Sequence, residues 1–356
     1  MGGSRALGRR LPPGRSGSRF SVAPGREAGP NPRTAGVLRL LLLALLLVAT
    51  PVRAQQAAAF RRAAAYSAAH AGDAVLVFQH DSLVLEDYVS PFTAATPHPL
   101  ASGTKAFACV LAALAQADGL LALDAPLARA LPELAGDTLL GPLTPRQLLS
   151  LTSGLEADPA AGGLRLATRP GRRFAYGGLG FVLFAEVLSR QLHGEDLLAW
   201  LTRRVLAPIG AEPSAWQRDG AGRPGLASDA ACTARAWAQY GLLLLHRGQW
   251  RGRQLVPRAA VAECGAGSAA NPSYGLGLWL NPAPPAAPPP AGVERAGPSD
   301  RVINAPDLPH DLWLAAGTGG QRLYILPTQG LVVVRFGHNT GPDYRDDAFL
   351  RLLLGR

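Results

Sequence analysis

Residues 102–119 read SGTKAFACVLAALAQADG, and the rest of the chain is best approached from this stretch. Phe107, Val110, Leu111 and Leu114 recur at i, i+3, i+4 and i+7, the period of one helical face. Ser102 stands where the helix opens and Gly119 where it stops. Residues three apart on a helix share a face, so the Lys105 amine is within reach of the Ser102 hydroxyl. The helix N-terminus adds unpaired backbone N–H groups and a positive partial charge. A neutral Lys can take the Ser proton, and the oxyanion that follows meets donors nearby. Taken alone, the same spacing also describes an N-cap Ser followed by a solvated Lys.

Composition singles out the same residue. Of 35 basic residues, 34 are Arg and one, Lys105, is Lys. Abundant Ala, Gly, Pro and Arg point to a GC-rich genome that disfavours Lys codons. Arg stays protonated in proteins, whereas a desolvated Lys can lose its proton and act as a base.

Two other stretches carry chemistry. Tyr176 lies in FAYGG (174–178), after Pro170-Gly171 and before a helical pattern, which puts it in a turn. The flanking glycines, Gly178 among them, allow close approach of other chain segments. A Tyr beside an ammonium has a lowered pKa and can relay protons. GTGGQ (317–321) lies immediately before a strand and can present a backbone N–H to a developing oxyanion. Because it does not bridge strand to helix, it is no dinucleotide fingerprint. Gly178, Gly317 and Gly319 are candidate substrate contacts, and so is His310, which sits near the 317–321 strip. The plain alternatives are an amphipathic Tyr capping a core and a Gly-rich turn. Gly-x-Ser-x-Gly, a phosphate loop, His-Glu-x-x-His and paired-His metal spacing are all missing from the sequence. No metal or cofactor is expected.

Strands are predicted at both ends of the mature chain. Ala74–Gln79 and Leu83–Tyr88 form one hairpin, Leu323–Leu326 and Leu331–Phe336 another, with Tyr274–Leu280 a further strand. Helices are expected over 57–70, from Thr144 (a capping box with Gln147) to Gly154, and over Leu179–Leu192, Glu195–Leu206, Asp229–Arg247 and Phe349–Leu354. Six Pro within 282–290 mark an exposed loop. The expected fold class is α+β: an antiparallel sheet from both chain ends flanked by helices, with a mainly helical subdomain inserted at about 120–265.

The 356 residues divide into a leader, 1–54, and one domain, 55–356. Residues 1–54 hold nine Arg and one acid, Glu27, whereas the remainder holds 26 basic and 24 acidic groups. The nearly neutral body removes the electrostatic argument for nucleic-acid binding. The apolar run Leu40–Ala49 is too short to span a bilayer, and Val52-Arg53-Ala54 offers a small-x-small site before Gln55. The expectation is a signal peptide cleaved near Ala54-Gln55 and a periplasmic or secreted bacterial protein that meets the membrane only through that signal. An uncleaved anchor on a cell-surface structural protein is the alternative. Residues 1–36 have the composition of a disordered segment, and translation is expected to begin near Val37. Three Cys exclude a disulfide-dense scaffold and a Cys-based zinc site. In an oxidising compartment Cys232 and Cys264 could pair, with Cys109 packing as a small hydrophobe.

Ser102-x-x-Lys105, Tyr176 and the 317–321 strip, in this order, resemble the serine β-lactamase and penicillin-binding-protein superfamily. The class C-like branch, with its esterases and nylon-oligomer (6-aminohexanoate-dimer) hydrolases, is the most similar. LTPRQLLSLTSGL (143–155), PGRRFAYGGLGFVLFAEVL (170–188), AWAQYGLLLLHRGQWRGRQLV (236–256) and LAAGTGGQRLYILPTQGLVVVRFG (314–337) extend the likeness over about 60–355. The resemblance implies that the fold is β-lactamase/transpeptidase-like. It implies Ser102 as acylated nucleophile, Lys105 as its base, and Tyr176 as proton relay to the leaving group and base for the deacylating water. It further implies an oxyanion hole from the backbone N–H groups of Ser102 and Thr318. Two positions depart from the family pattern. Gly178 replaces an Asn that supports the Lys and contacts a substrate amide, and Ala315 and Ala316 stand where a cation would hold a β-lactam carboxylate. These departures favour a small-molecule ester or a less charged amide over a β-lactam. A non-catalytic ligand-binding protein on the same fold is the alternative.

Overall fold

The structure is a computed structural model that describes residues 53–303, 305–338 and 344–356. The leader expectations for residues 1–52 therefore lie outside the described residues.

The first described element, helix α1, covers 53–69. Strand β1 (Gly72–Gln79) turns through His80 and Asp81, both at positive φ, into β2 (Ser82–Tyr88). After the helical middle of the chain come β3 (Trp279–Leu280), β4 (Trp313–Gly317), β5 (Gln321–Leu326) and β6 (Leu331–Gly337). Together they form one six-stranded sheet in the order β3-β4-β5-β6-β1-β2, every pair antiparallel. The sequence explains the order. LVVVRFG in β6 is buried at all seven positions, as a central strand covered on both faces must be. SLVLEDY in β2 leaves most positions open and places Glu86 and Asp87 on the edge.

Side chains alternate between the two faces of the sheet. On one face Phe336 stacks on Trp237 of helix α2 (Ala234–Leu245), with ring centroids 5.6 Å apart. A Cβ on Gly241 of that helix would lie 2.6 Å from Val332 and 2.8 Å from Leu323, so the helix rests directly on the sheet. On the other face Tyr324 stacks on Phe349 of the C-terminal helix, Asp346–Leu353, at 5.5 Å, and Arg335 bonds Ser67 of α1.

Several expectations need correction. Strand β4 was unforeseen, and the 317–321 strip is the turn joining β4 to β5. Of Tyr274–Leu280 only Trp279–Leu280 is strand, because the chain bends at Gly277 (φ +88°). The helix expected over Asp229–Arg247 begins at Ala234, capped by Thr233, because Ala230–Cys232 pairs as a short strand with His98–Pro99 and Ala215–Trp216. The capping box on Thr144 is present, but its helix ends at Leu149. Residues 195–206 form a helix at Leu197–Leu201 that widens into a π-turn, Thr202–Leu206. Residues 120–265 thus hold helices together with short antiparallel pairings. Among the described residues no helix is long and apolar enough to cross a membrane.

Cysteine pairing also differs. Cys109 is bonded to Cys264, with Cα atoms 5.3 Å apart, and Cys232 is a buried free thiol. The apolar face that carries Cys109 is the face against which the helix Arg258–Cys264 packs, so burial and pairing coincide.

Candidate active site

Ser102 and Lys105 lie on a 3-10 turn, Ala101–Ala106, that runs into the helix Phe107–Ala117. In a 3-10 turn residues i and i+3 eclipse, a tighter superposition than an α-helix gives. Lys105 Nζ accordingly donates to Ser102 Oγ at 3.1 Å. Ala101, just before Ser102, has φ +47°, a conformation that L-residues adopt at a cost. Its neighbours hold it in place: Leu100 N–H donates to Ala230 O at 2.8 Å, and Gly103 N–H donates to Leu100 O at 2.9 Å.

Lys105 is only 4% exposed. Its second acceptor is the backbone carbonyl of Ala227, at 2.7 Å. Phe181 and Tyr176 bound the ammonium, with ring centroids 5.5 and 5.3 Å from Nζ. Burial lowers the Lys105 pKa to about 8, and the negative charge of Asp229 opposes that shift. From beneath, the chain at Gly277 comes so close that a Cβ there would overlap the Lys105 carbonyl oxygen.

Tyr176 is half-exposed, and its phenol faces Ser102. Its pKa is raised, not lowered as expected from a neighbouring ammonium. Burial is the largest cause; the Ser102 hydroxyl and the charge of Arg322 offset only part of it. The phenol is therefore a proton donor in the resting site. Its ring stacks on Trp279 at 5.2 Å and meets Tyr274 edge-on at 6.0 Å, and Phe174 lies behind at 6.4 Å. This aromatic wall was not foreseen in the sequence.

Gly317, at the end of β4, lies directly against the Ser102 turn. A Cβ there would overlap the Leu100 carbonyl oxygen and sit 3.1 Å from Gly103 N. Thr318 follows, exposed, in the turn that Gly319 (φ +81°) and Gly320 (φ +84°) complete. The strip thus adjoins the nucleophile turn. Gly178 stands before the helix Leu179–Gln191, and a Cβ on it would lie 3.2 Å from Ala227 Cβ. His310 is not part of this group. It precedes β4 at the end opposite Thr318, its Nδ1 bonds Asn281 O at 3.1 Å, and it lines a separate surface cleft with Leu280 and Trp313.

Three participants escaped the sequence. The Ala227 carbonyl is a backbone atom and leaves no residue-type signal. Trp279 reads as an apolar strand residue. Asp229 reads as the start of a helix. Among the described residues no group of three or more His, Cys, Asp or Glu could hold a metal ion.

Comparison with known proteins adds to this geometry. The Beta-lactamase family matches residues 56–356. No curated protein matches the chain at a significant level. Solved structures share the fold. One is designated a 6-aminohexanoate-dimer hydrolase, from Bacillus anthracis (19% identity, 81% of this chain and 79% of that one, TM-score 0.64). Another is D-alanine carboxypeptidase AmpC from Burkholderia cenocepacia (20%, 85% and 99%, 0.62). A third is a beta-lactamase/D-alanine carboxypeptidase from Pseudomonas syringae (16%, 85% and 98%, 0.63). With its β-lactamase/transpeptidase-like sheet and this family match, the chain belongs to the beta-lactamase family of serine hydrolases.

Proposed function

We propose that the protein cleaves a small-molecule ester or amide through an acyl-enzyme on Ser102, with Lys105 as base and Tyr176 as proton relay. The observation that carries this reading is the 3.1 Å bond between Ser102 Oγ and an amine that burial brings down to about 8. At pH 7 roughly a tenth of such an amine is neutral, against less than a thousandth of an ordinary Lys. The neutral amine accepts the Ser102 proton as Oγ attacks the substrate carbonyl. The backbone N–H groups of Ser102 and Thr318 receive the oxyanion. The protonated Tyr176 phenol gives its proton to the leaving group; the phenolate then takes a proton from the attacking water in deacylation, and the Lys105 ammonium returns its proton to Ser102 Oγ as the acyl bond breaks.

The substrate is uncharged where it meets β4. Ala315 and Ala316 offer no cation there, and the guanidinium of Arg322, opposite Ala316 on β5, is paired with Asp346 at 2.7 Å. The exposed Tyr176 ring, backed by the buried Trp279, suits a flat apolar group. The leader composition supports export, with cleavage near Ala54-Gln55, and N-terminal sequencing of the native protein checks it.

A fluorophosphonate probe tests the reaction. Labelling of the wild type that vanishes in Ser102→Ala supports it. An unlabelled, folded wild type points to a ligand-binding protein instead.

A further inference from the structure

The oxyanion donor assigned to Thr318 belongs to the peptide plane that begins at the Gly317 carbonyl. In a trans peptide the C=O and N–H of one plane are rigidly coupled and point in opposite directions. Whatever holds the Gly317 oxygen therefore aims the Thr318 hydrogen. Arg322 holds it. Its Nη1 donates to Gly317 O at 2.8 Å and to Gln321 O at 3.0 Å. Arg322 stands on β5 opposite Ala316, next to the turn.

The guanidinium is fixed from its other side. Nε and Nη2 donate to Asp346 Oδ1 and Oδ2 at 2.7 and 3.2 Å. Arg322 and Asp346 side chains are 12% and 9% exposed. Asp346 also accepts from Tyr324 OH at 2.5 Å, and Tyr324 OH meets Tyr344 OH at 2.8 Å. A bidentate pair of this kind has one low-energy geometry, which leaves Nη1 aimed at the turn.

We propose that Arg322 is a positioning residue for the oxyanion donor: its bond to the Gly317 carbonyl fixes the Gly317–Thr318 peptide plane and polarises it. This inference rests on the proposed acyl-enzyme reaction, with Thr318 N–H as one of the two oxyanion donors. A charged donor on a carbonyl withdraws electron density through the amide, so the N–H at the other end becomes a stronger donor. The effect is realised only when negative charge develops on the substrate oxygen, so it falls on kcat and on binding of tetrahedral analogues.

The test is Arg322→Gln combined with Asp346→Asn, which avoids leaving an unpaired buried carboxylate. Acylation by p-nitrophenyl acetate and inhibition by phenylboronic acid are measured beside the wild type. Removing a whole oxyanion donor costs about 10²–10³ in kcat, so losing its support is expected to lower kcat about 10- to 100-fold. The phenylboronic acid Ki rises in parallel, KM changes less than about twofold, and the pH midpoint set by Lys105 stays in place. Arg322→Lys keeps a charge beside Asp346 but loses the fork that reaches Gly317, and it decides the matter should the double variant not fold. It is expected to lose kcat and phenylboronic acid affinity together. A folded variant with wild-type kcat and Ki overturns the inference, as does one in which KM and the pH midpoint shift along with kcat. If the wild type itself fails to react with fluorophosphonate, the acyl-enzyme reading falls first. If it reacts and the variants react equally fast, only the role of Arg322 falls.

Discussion

Lys105 has two hydrogen-bond partners with opposite consequences. Ser102 Oγ is the group it deprotonates, and the Ala227 carbonyl can only accept, so it stabilises the ammonium. Burial outweighs that acceptor and the charge of Asp229, and the amine settles at about 8. Because the neutral form is the base, kcat/KM is expected to rise about tenfold per pH unit below that value and to level off above it. A profile flat from pH 6 to 9 removes Lys105 from the rate-limiting proton transfer. Lys105→Arg keeps the charge and discards the titratable amine. It is expected to lower the rate of fluorophosphonate labelling about 10²- to 10⁴-fold, the range attributed to a positioned base. The sequence already marked Ser102 and Lys105, since helical spacing and the lone Lys are one-dimensional facts. The Ala227 carbonyl and the upward shift of Tyr176 were not legible. Both depend on which segments, distant in the chain, come to surround the pair.

Elements meet at the active site with almost no clearance, and glycine is what allows it. Strand β4 delivers the oxyanion strip only because Gly317 lets its backbone lie on the Leu100 carbonyl. Gly317→Ala therefore has to push the strand end off the nucleophile turn. A displacement of about 1 Å near the reacting atoms costs on the order of 10² in rate, and overpacking of this kind costs about 1–3 kcal/mol in stability. Single-turnover acylation and thermal unfolding measure the two losses. Gly136→Ala, where a Cβ meets nothing within 4 Å, is the matched control and should leave both unchanged. Wild-type acylation in Gly317→Ala would show that β4 does not position the oxyanion donor. The β1–β2 and β5–β6 hairpins were readable because each strand is a β-branched or alternating run with turn residues at its end. WLAAG of β4 is short, holds two Ala and a Gly, and has no periodicity to reveal it. Its pairing is imposed by its neighbours β3 and β5.

At the scale of the molecule, the fold ties together segments far apart in the chain, and the Cys109–Cys264 bond does so covalently across 155 residues. Cys109 lies on the helix that continues from the Ser102 turn. Cys264 ends the helix Arg258–Cys264, and its carbonyl accepts the Leu276 N–H at 3.1 Å. Leu276 stands between Tyr274 and Trp279 and beside Gly277, which presses on Lys105. The bond thus connects the nucleophile helix to the loop that carries the aromatic wall. Sequence could not choose this pair, because three Cys allow three pairings and an apolar helix face looks the same with or without a partner sulfur. Two measurements follow. Thiol titration of the denatured, unreduced protein is expected to give one thiol per chain, and the same titration of the native protein none, because Cys232 is buried. In the chain-entropy picture a cross-link closing a loop longer than 100 residues stabilises by roughly 5 kcal/mol. Cys109→Ala with Cys264→Ala should therefore unfold at a lower temperature. It should also turn over more slowly below that temperature, since the wall and the helix are then joined by packing alone. Three thiols in the unreduced protein would refute the bond. One thiol with unaltered turnover in the double variant would confine the bond to stability and leave the cleft independent of it.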